Sequence, residues 1–107
     1  MLADTPKQPY YAVIFSSVRT DGDNGYTEMA TRMVELASGY DGFLGLESAR
    51  EEIGITVSYW RDLDSISRWK GDVEHLAAQQ RGSNEWYSAY RLRVALVERD
   101  VSFTDHL

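Results

Sequence analysis

The sequence predicts an α+β fold of the ferredoxin-like type: one sheet built in the order β-α-β-β-α-β, with both helices on one face. Three observations carry this expectation. Four stretches are rich in aromatic and β-branched residues, two stretches repeat their apolar residues with helical spacing, and the two kinds alternate in that order. The length of 107 residues suits a single domain with one core. We find no internal repeat and no low-complexity segment, so the domain is expected to span residues 1–107.

The elements follow in order. "MLADTPKQPY" holds two prolines within nine residues, which predicts an irregular lead-in over residues 1–9. "YYAVIFSSV" (10–18) reads as the first strand. "TDGDNG" is a turn that offers Asp23 or Asn24 as a helix cap. From Tyr26 the apolar residues fall at 26, 29, 30, 33, 34 and 37, one face of a helix, and Gly39 is expected to close it with a left-handed residue. "FLGLESARE" (43–51) and "GITVSYW" (54–60) read as two strands joined by a tight connection near Glu51–Ile53. In the second, Ile53, Ile55, Val57 and Tyr59 alternate with Gly54, Thr56, Ser58 and Trp60, a clean period of two. Asp62 caps a second helix starting at Leu63; Gly71 is expected to break it, with Asp72 capping a further segment to about Gln80. "RGSNE" is a loop, and "YSAYRLRVALVERDVSF" (87–103) supplies a long last strand.

Two helices cover one face of such a sheet, and a bare second face would expose a large apolar patch. The pattern therefore predicts that two sheets pair across a homodimer axis, with the strand around Val94–Val97 in the interface. Composition narrows the partners. The 17 acidic and 11 basic side chains give a formal charge of −6, which disfavours nucleic acid and anionic membrane surfaces, since both are bound through Lys and Arg. No stretch approaches the roughly 20 apolar residues of a membrane span. The first residues lack a basic region followed by an apolar core, so no signal peptide is expected and a cytoplasmic location is. With no cysteine, disulfides, thiolate metal sites and iron–sulfur clusters are excluded.

The chain has two histidines, and His106 is one residue from the last. His75 is thus the candidate for imidazole chemistry, and a multi-histidine metal site is close to excluded. On a helix it lies about 200° from Val73, off the apolar stripe of Val73, Leu76 and Ala77. That leaves a solvent-facing residue or one projecting into a cleft. Trp69 falls inward with Ile66 and Val73, where core packing is the simpler reading. Trp60 ends its strand on the face opposite Ile55 and Val57, and Trp86 opens the last strand beside Tyr87 and Tyr90. Aromatics in this number suit a pocket for a planar ligand or anchors of a dimer interface. Arg91 and Arg93 share one face of the last strand; facing a cleft, they would stabilise a phenolate or an oxyanion.

Read together, "GFLGLESARE", "GITVSYWRDLDSISRWKGDVEHLAAQQRG" and "WYSAYRLRVALVERD" resemble the antibiotic biosynthesis monooxygenase family, over residues 10 to 100. The resemblance implies a dimeric α+β barrel with a pocket in each subunit between helices and sheet. It implies a monooxygenase that oxidises phenolic or quinol-like aromatics without flavin, metal or other cofactor. In that setting His75 is the base, Trp60, Trp69, Trp86 and Tyr90 wall the substrate pocket, and Arg93 steadies the developing anion. A haem-binding or haem-degrading branch of the same superfamily places a histidine about ten positions after the helix tryptophan and an asparagine on the first strand. Here Gln79 stands ten residues after Trp69 and "YYAVIFSSV" has no asparagine, which argues against haem. A module of this fold that only holds a small aromatic ligand is the third reading.

Overall fold

The structure is a computed structural model that describes residues 2–23, 25–79 and 86–103, with side chains in α2 described as far as Val73. Its elements are β1 (Tyr10–Arg19), α1 (Tyr26–Ser38), β2 (Phe43–Arg50), β3 (Gly54–Trp60), α2 (Leu63–Gln79) and β4 (Tyr87–Val97). The four strands form one antiparallel sheet in the order β2-β3-β1-β4. This is the ferredoxin-like α+β arrangement that the order of elements predicts.

Register assigns each face. Val13 lies opposite Ser58 and Val94, and Tyr11 opposite Trp60 and Leu96. Alternation then places Tyr11, Val13, Phe15 and Ser17 of β1 on the helix-covered face with Gly54, Thr56, Ser58 and Trp60 of β3. The more apolar side of β3, with Ile55, Val57 and Tyr59, turns the other way. The small residues Gly54 and Ser58 are buried, while Ile55 is 46% exposed. The core is formed by Val13, Ala37, Trp60 and Ile66, with Tyr11, Tyr40, Phe43, Trp69 and Leu92 packed against it.

The helices begin as side-chain capping requires. Asp62 Oδ1 accepts from the Ser65 backbone N–H at 2.8 Å, the N-cap bond expected of it. At α1 the cap position is Gly25 in a left-handed conformation, and Asp23 reaches over it to accept from the Thr27 N–H at 3.2 Å. Asn24 lies outside the described residues. Between the two helices, Gly42 lets β2 approach α2: a Cβ there would collide with the Ser65 side chain.

Three local expectations are corrected. Gly39 closes α1 with φ −80°, right-handed, its N–H continuing to the Leu36 carbonyl at 3.1 Å. The second helix does not break at Gly71. It runs on to Gln79, because a glycine lowers helix stability by roughly 1 kcal/mol without removing a hydrogen bond. The last strand ends at Val97 rather than at 103, where its partner runs out: Val97 pairs with Tyr10, and Pro9 before it has no N–H to extend the ladder.

Candidate functional site

The helix-facing side of the sheet carries aromatic residues at both ends. At the first end, Trp60 is completely buried and its Nε1–H donates to Ser58 Oγ at 2.9 Å. Its ring meets Trp69 at 5.1 Å, Phe43 at 5.3 Å and Tyr40 at 6.2 Å between centroids. Tyr40 in turn donates its hydroxyl hydrogen bond to Asp72 of α2. Trp69 differs from Trp60 in one respect: its Nε1–H is also buried but has no acceptor among the described residues. Leaving such a donor unmade costs on the order of 1–3 kcal/mol, so it is a group able to receive a ligand oxygen.

At the second end, Phe15 packs against Tyr87 at 5.3 Å and Tyr90 at 5.5 Å, and Tyr87 meets Tyr26 at 5.7 Å, edge to face. Burial, with a hydrogen bond to Tyr26, pushes the Tyr87 phenol well above its ordinary range, so it stays protonated. Two guanidinium groups flank these rings. Arg19 lies 3.5 Å above the Tyr26 ring, its Nε–H donating to the Trp86 carbonyl at 2.9 Å. Arg50 crosses from β2 to β1, donating to Ser17 Oγ at 2.5 Å. Val13 and Leu92 join the two ends of this aromatic wall.

The structure brings Trp60 and Trp69 together and places Tyr90, 57% exposed, at the other end of the wall with Phe15. Trp86 is buried just before β4, where its carbonyl also accepts from the Thr20 N–H at 2.9 Å. Arg93 stands apart. It pairs opposite Ile14, so it projects from the sheet face away from Trp60, Trp69 and Tyr90. His75 is within α2, and its side chain, like all of His106, lies outside the described residues. A helix rise of about 1.5 Å per residue puts its backbone about 9 Å beyond Trp69. The direction is toward Phe15 and Tyr90, since α2 carries the chain from Trp60 back toward the start of β4.

Sequence reading missed Arg50, Ser17 and Tyr26, while Tyr87 was named beside Trp86 and Tyr90. Period-two alternation from Leu46 would have set Arg50 on the inner face, but the register shift between Phe43 and Gly45 hides the phase of β2.

On the opposite face, the lead-in segment is pinned. Glu47 accepts from the Tyr59 hydroxyl at 2.6 Å and from the Ala3 N–H at 3.0 Å, and Tyr10 donates to Asp100. The Tyr59 hydroxyl, followed by the Ala3 N–H, holds the Glu47 carboxyl below its usual range; burial, with Glu47, pushes the Tyr59 phenol up to about 12.

Among the described residues no three metal-ligating side chains cluster, and no helix is long and apolar enough to cross a membrane.

Comparison with known proteins gives this geometry a context. "Uncharacterized protein YqjZ" of Bacillus subtilis (strain 168) is 51% identical over 107 residues, covering 98% of this chain and 94% of the relative. Protein SO0527 from Shewanella oneidensis superposes with a TM-score of 0.69 at 10% identity, covering 85% of this chain and 93% of that one. SnoaB, a cofactor-independent oxygenase from Streptomyces nogalater, superposes with a TM-score of 0.63 at 12% identity, covering 92% of this chain and 100% of that one. At such identities the two structures speak for the fold alone. Residues 9–81 match the family described as antibiotic biosynthesis monooxygenase. Together with the fold, that match establishes that the chain belongs to the antibiotic biosynthesis monooxygenase family.

Proposed function

We propose that the protein is a cofactor-independent monooxygenase of phenolic or quinol-like aromatics, working as a cytoplasmic homodimer. The observation that carries this reading is the buried Trp69 Nε1–H without an acceptor among the described residues, set in a wall of aromatic rings. A planar substrate lies along that wall and His75, as general base, takes its acidic proton. The carbanion or phenolate passes one electron to dioxygen, and the two radicals join as a peroxide. Loss of water then leaves a new carbonyl: one oxygen atom enters the substrate and the other leaves in water. Because Arg93 projects from the far face, we assign donation to the developing oxygen anion to Trp69 Nε1. Trp60 backs that indole, and Tyr90 and Trp86 stand toward the other end.

Oxygen uptake with a panel of anthrones and quinols tests the reading. Stoichiometric conversion to quinone by purified, cofactor-free protein is expected. His75→Ala should lower turnover by roughly a hundredfold to ten-thousandfold, with stability changed by no more than about 0.5 kcal/mol. A mutant that turns over as fast as the parent would remove His75 from the reaction. Tight binding of the same compounds without oxygen uptake would show a binding module instead.

A further inference from the structure

Arg50 is placed with unusual care for a residue at the end of a strand. Alternation puts it on the helix-facing side of the sheet, opposite Gly54 in register. Gly54 is buried, and a Cβ there would collide with the guanidinium, so the absent side chain is what makes the seat. From this seat Nη2 donates to Ser17 Oγ at 2.5 Å and Nη1 reaches the Ser17 carbonyl at 3.5 Å. Ser17 is itself only 2% exposed. A guanidinium has five N–H donors, so most of them remain unspent.

Its side chain is exposed, and its charge faces no partner of opposite sign among the described residues. Glu51 and Glu52 follow it directly in the turn, yet among the described residues Arg50 pairs with no carboxylate, in a chain carrying 17 acidic side chains. Beyond Ser17, on the next strand, the same face is aromatic. Ser17 lies opposite Tyr90 in register, and Tyr90 packs on Phe15. Tyr90, more than half exposed, leaves part of its ring free to stack.

We propose that Arg50, seated over Gly54 and held by Ser17 beside the Phe15 and Tyr90 rings, is the subsite for the carboxylate of an aromatic acid. The planar fork of the guanidinium matches a carboxylate through two parallel N–H bonds, while the ring bearing that carboxylate stacks on Tyr90. The inference rests on the reading of this face as the ligand site and narrows it: the preferred substrates are phenolic acids rather than neutral phenols.

Titration calorimetry in low-salt buffer without oxygen tests this on the intact protein, with hydroxynaphthoate and naphthol as probes. Hydroxynaphthoate is expected to bind at least about tenfold more tightly, the scale of a charge-assisted hydrogen bond. Arg50→Gln should erase the preference and leave naphthol binding as it was. Gly54→Ala is the second variant; it should push the guanidinium from its seat and also erase the preference, with Arg50 still present. Equal affinity for the two probes, or a preference that survives both substitutions, overturns the proposal. That result would leave the oxygenase reading standing if anthrones or quinols are still oxidised. Anion-selective binding without oxygen uptake would instead keep the subsite and remove the oxygenase.

Discussion

Trp60 and Trp69 are touching neighbours with opposite commitments. The Trp60 Nε1–H has spent its bond on Ser58, and the residue is fully enclosed; the Trp69 Nε1–H is enclosed and unspent. The two phenylalanine substitutions should therefore separate stability from function. Trp60→Phe leaves the Ser58 hydroxyl buried without its donor and opens a cavity, and should cost about 2–4 kcal/mol in urea denaturation. Trp69→Phe removes a donor that folding never satisfied, and should cost under about 1.5 kcal/mol. Its effect should appear in ligand affinity or turnover. A loss for Trp69→Phe equal to that for Trp60→Phe would show a purely structural indole. Helix period identifies Trp69 as inward-facing, whereas strand period sets Trp60 only on the face opposite Ile55 and Val57; that this is the helix-covered face emerges from the packing. Which of the two keeps a free N–H depends on Ser58 standing two residues from Trp60 along β3, a matter of rotamers that no period encodes.

Among the elements, α2 is the instructive one. Gly71 reads as a break in the sequence, but the helix passes through it, with Asp62 fixing its start. Nucleation is the expensive step in a helix, and one poor residue inside a capped, packed helix does not repeat it. Among the described residues nothing lies within 4 Å of where a Cβ on Gly71 would sit, so packing there does not call for glycine. Gly71→Ala should accordingly raise stability by about 0.5–1 kcal/mol, read as a higher denaturation midpoint with an unchanged slope. A loss of stability would mean that the helix bends or breaks there in solution. The strands teach a related lesson. Their existence and order are readable from composition, whereas the end of β4 is set by its partner β1, and the inner face of β2 by a bulge. Those are long-range properties, and local pattern carries little trace of them.

For the molecule as a whole, the arrangement of β3 bears on assembly. Its helix-covered side is small and polar apart from Trp60, while Ile55, Val57 and Tyr59 point away from the helices, and Ile55 is 46% exposed. Val94 and Leu96 of β4, opposite Val13 and Tyr11, lie on the helix side of the sheet, yet they too are 46% and 49% exposed, so this edge strand is left uncovered. Light scattering at micromolar concentration should find a dimer, and Ile55→Asp should shift it toward monomer with loss of stability. A wild-type monomer of ordinary stability would refute the pairing of sheets. The apolar alternation in β3 makes that second face visible from sequence, but the segment pinned across part of it by Ala3, Glu47 and Tyr59 was readable only as irregular. That segment has one more consequence. The hydrogen bond from Tyr10 to Asp100 ties the stretch entering β1 to the stretch leaving β4. Chain connectivity is thus nearly closed into a ring at that point. A short linker joining those two stretches, with a new opening cut at the Glu51–Ile53 turn, would give a circularly permuted protein with the same sheet order.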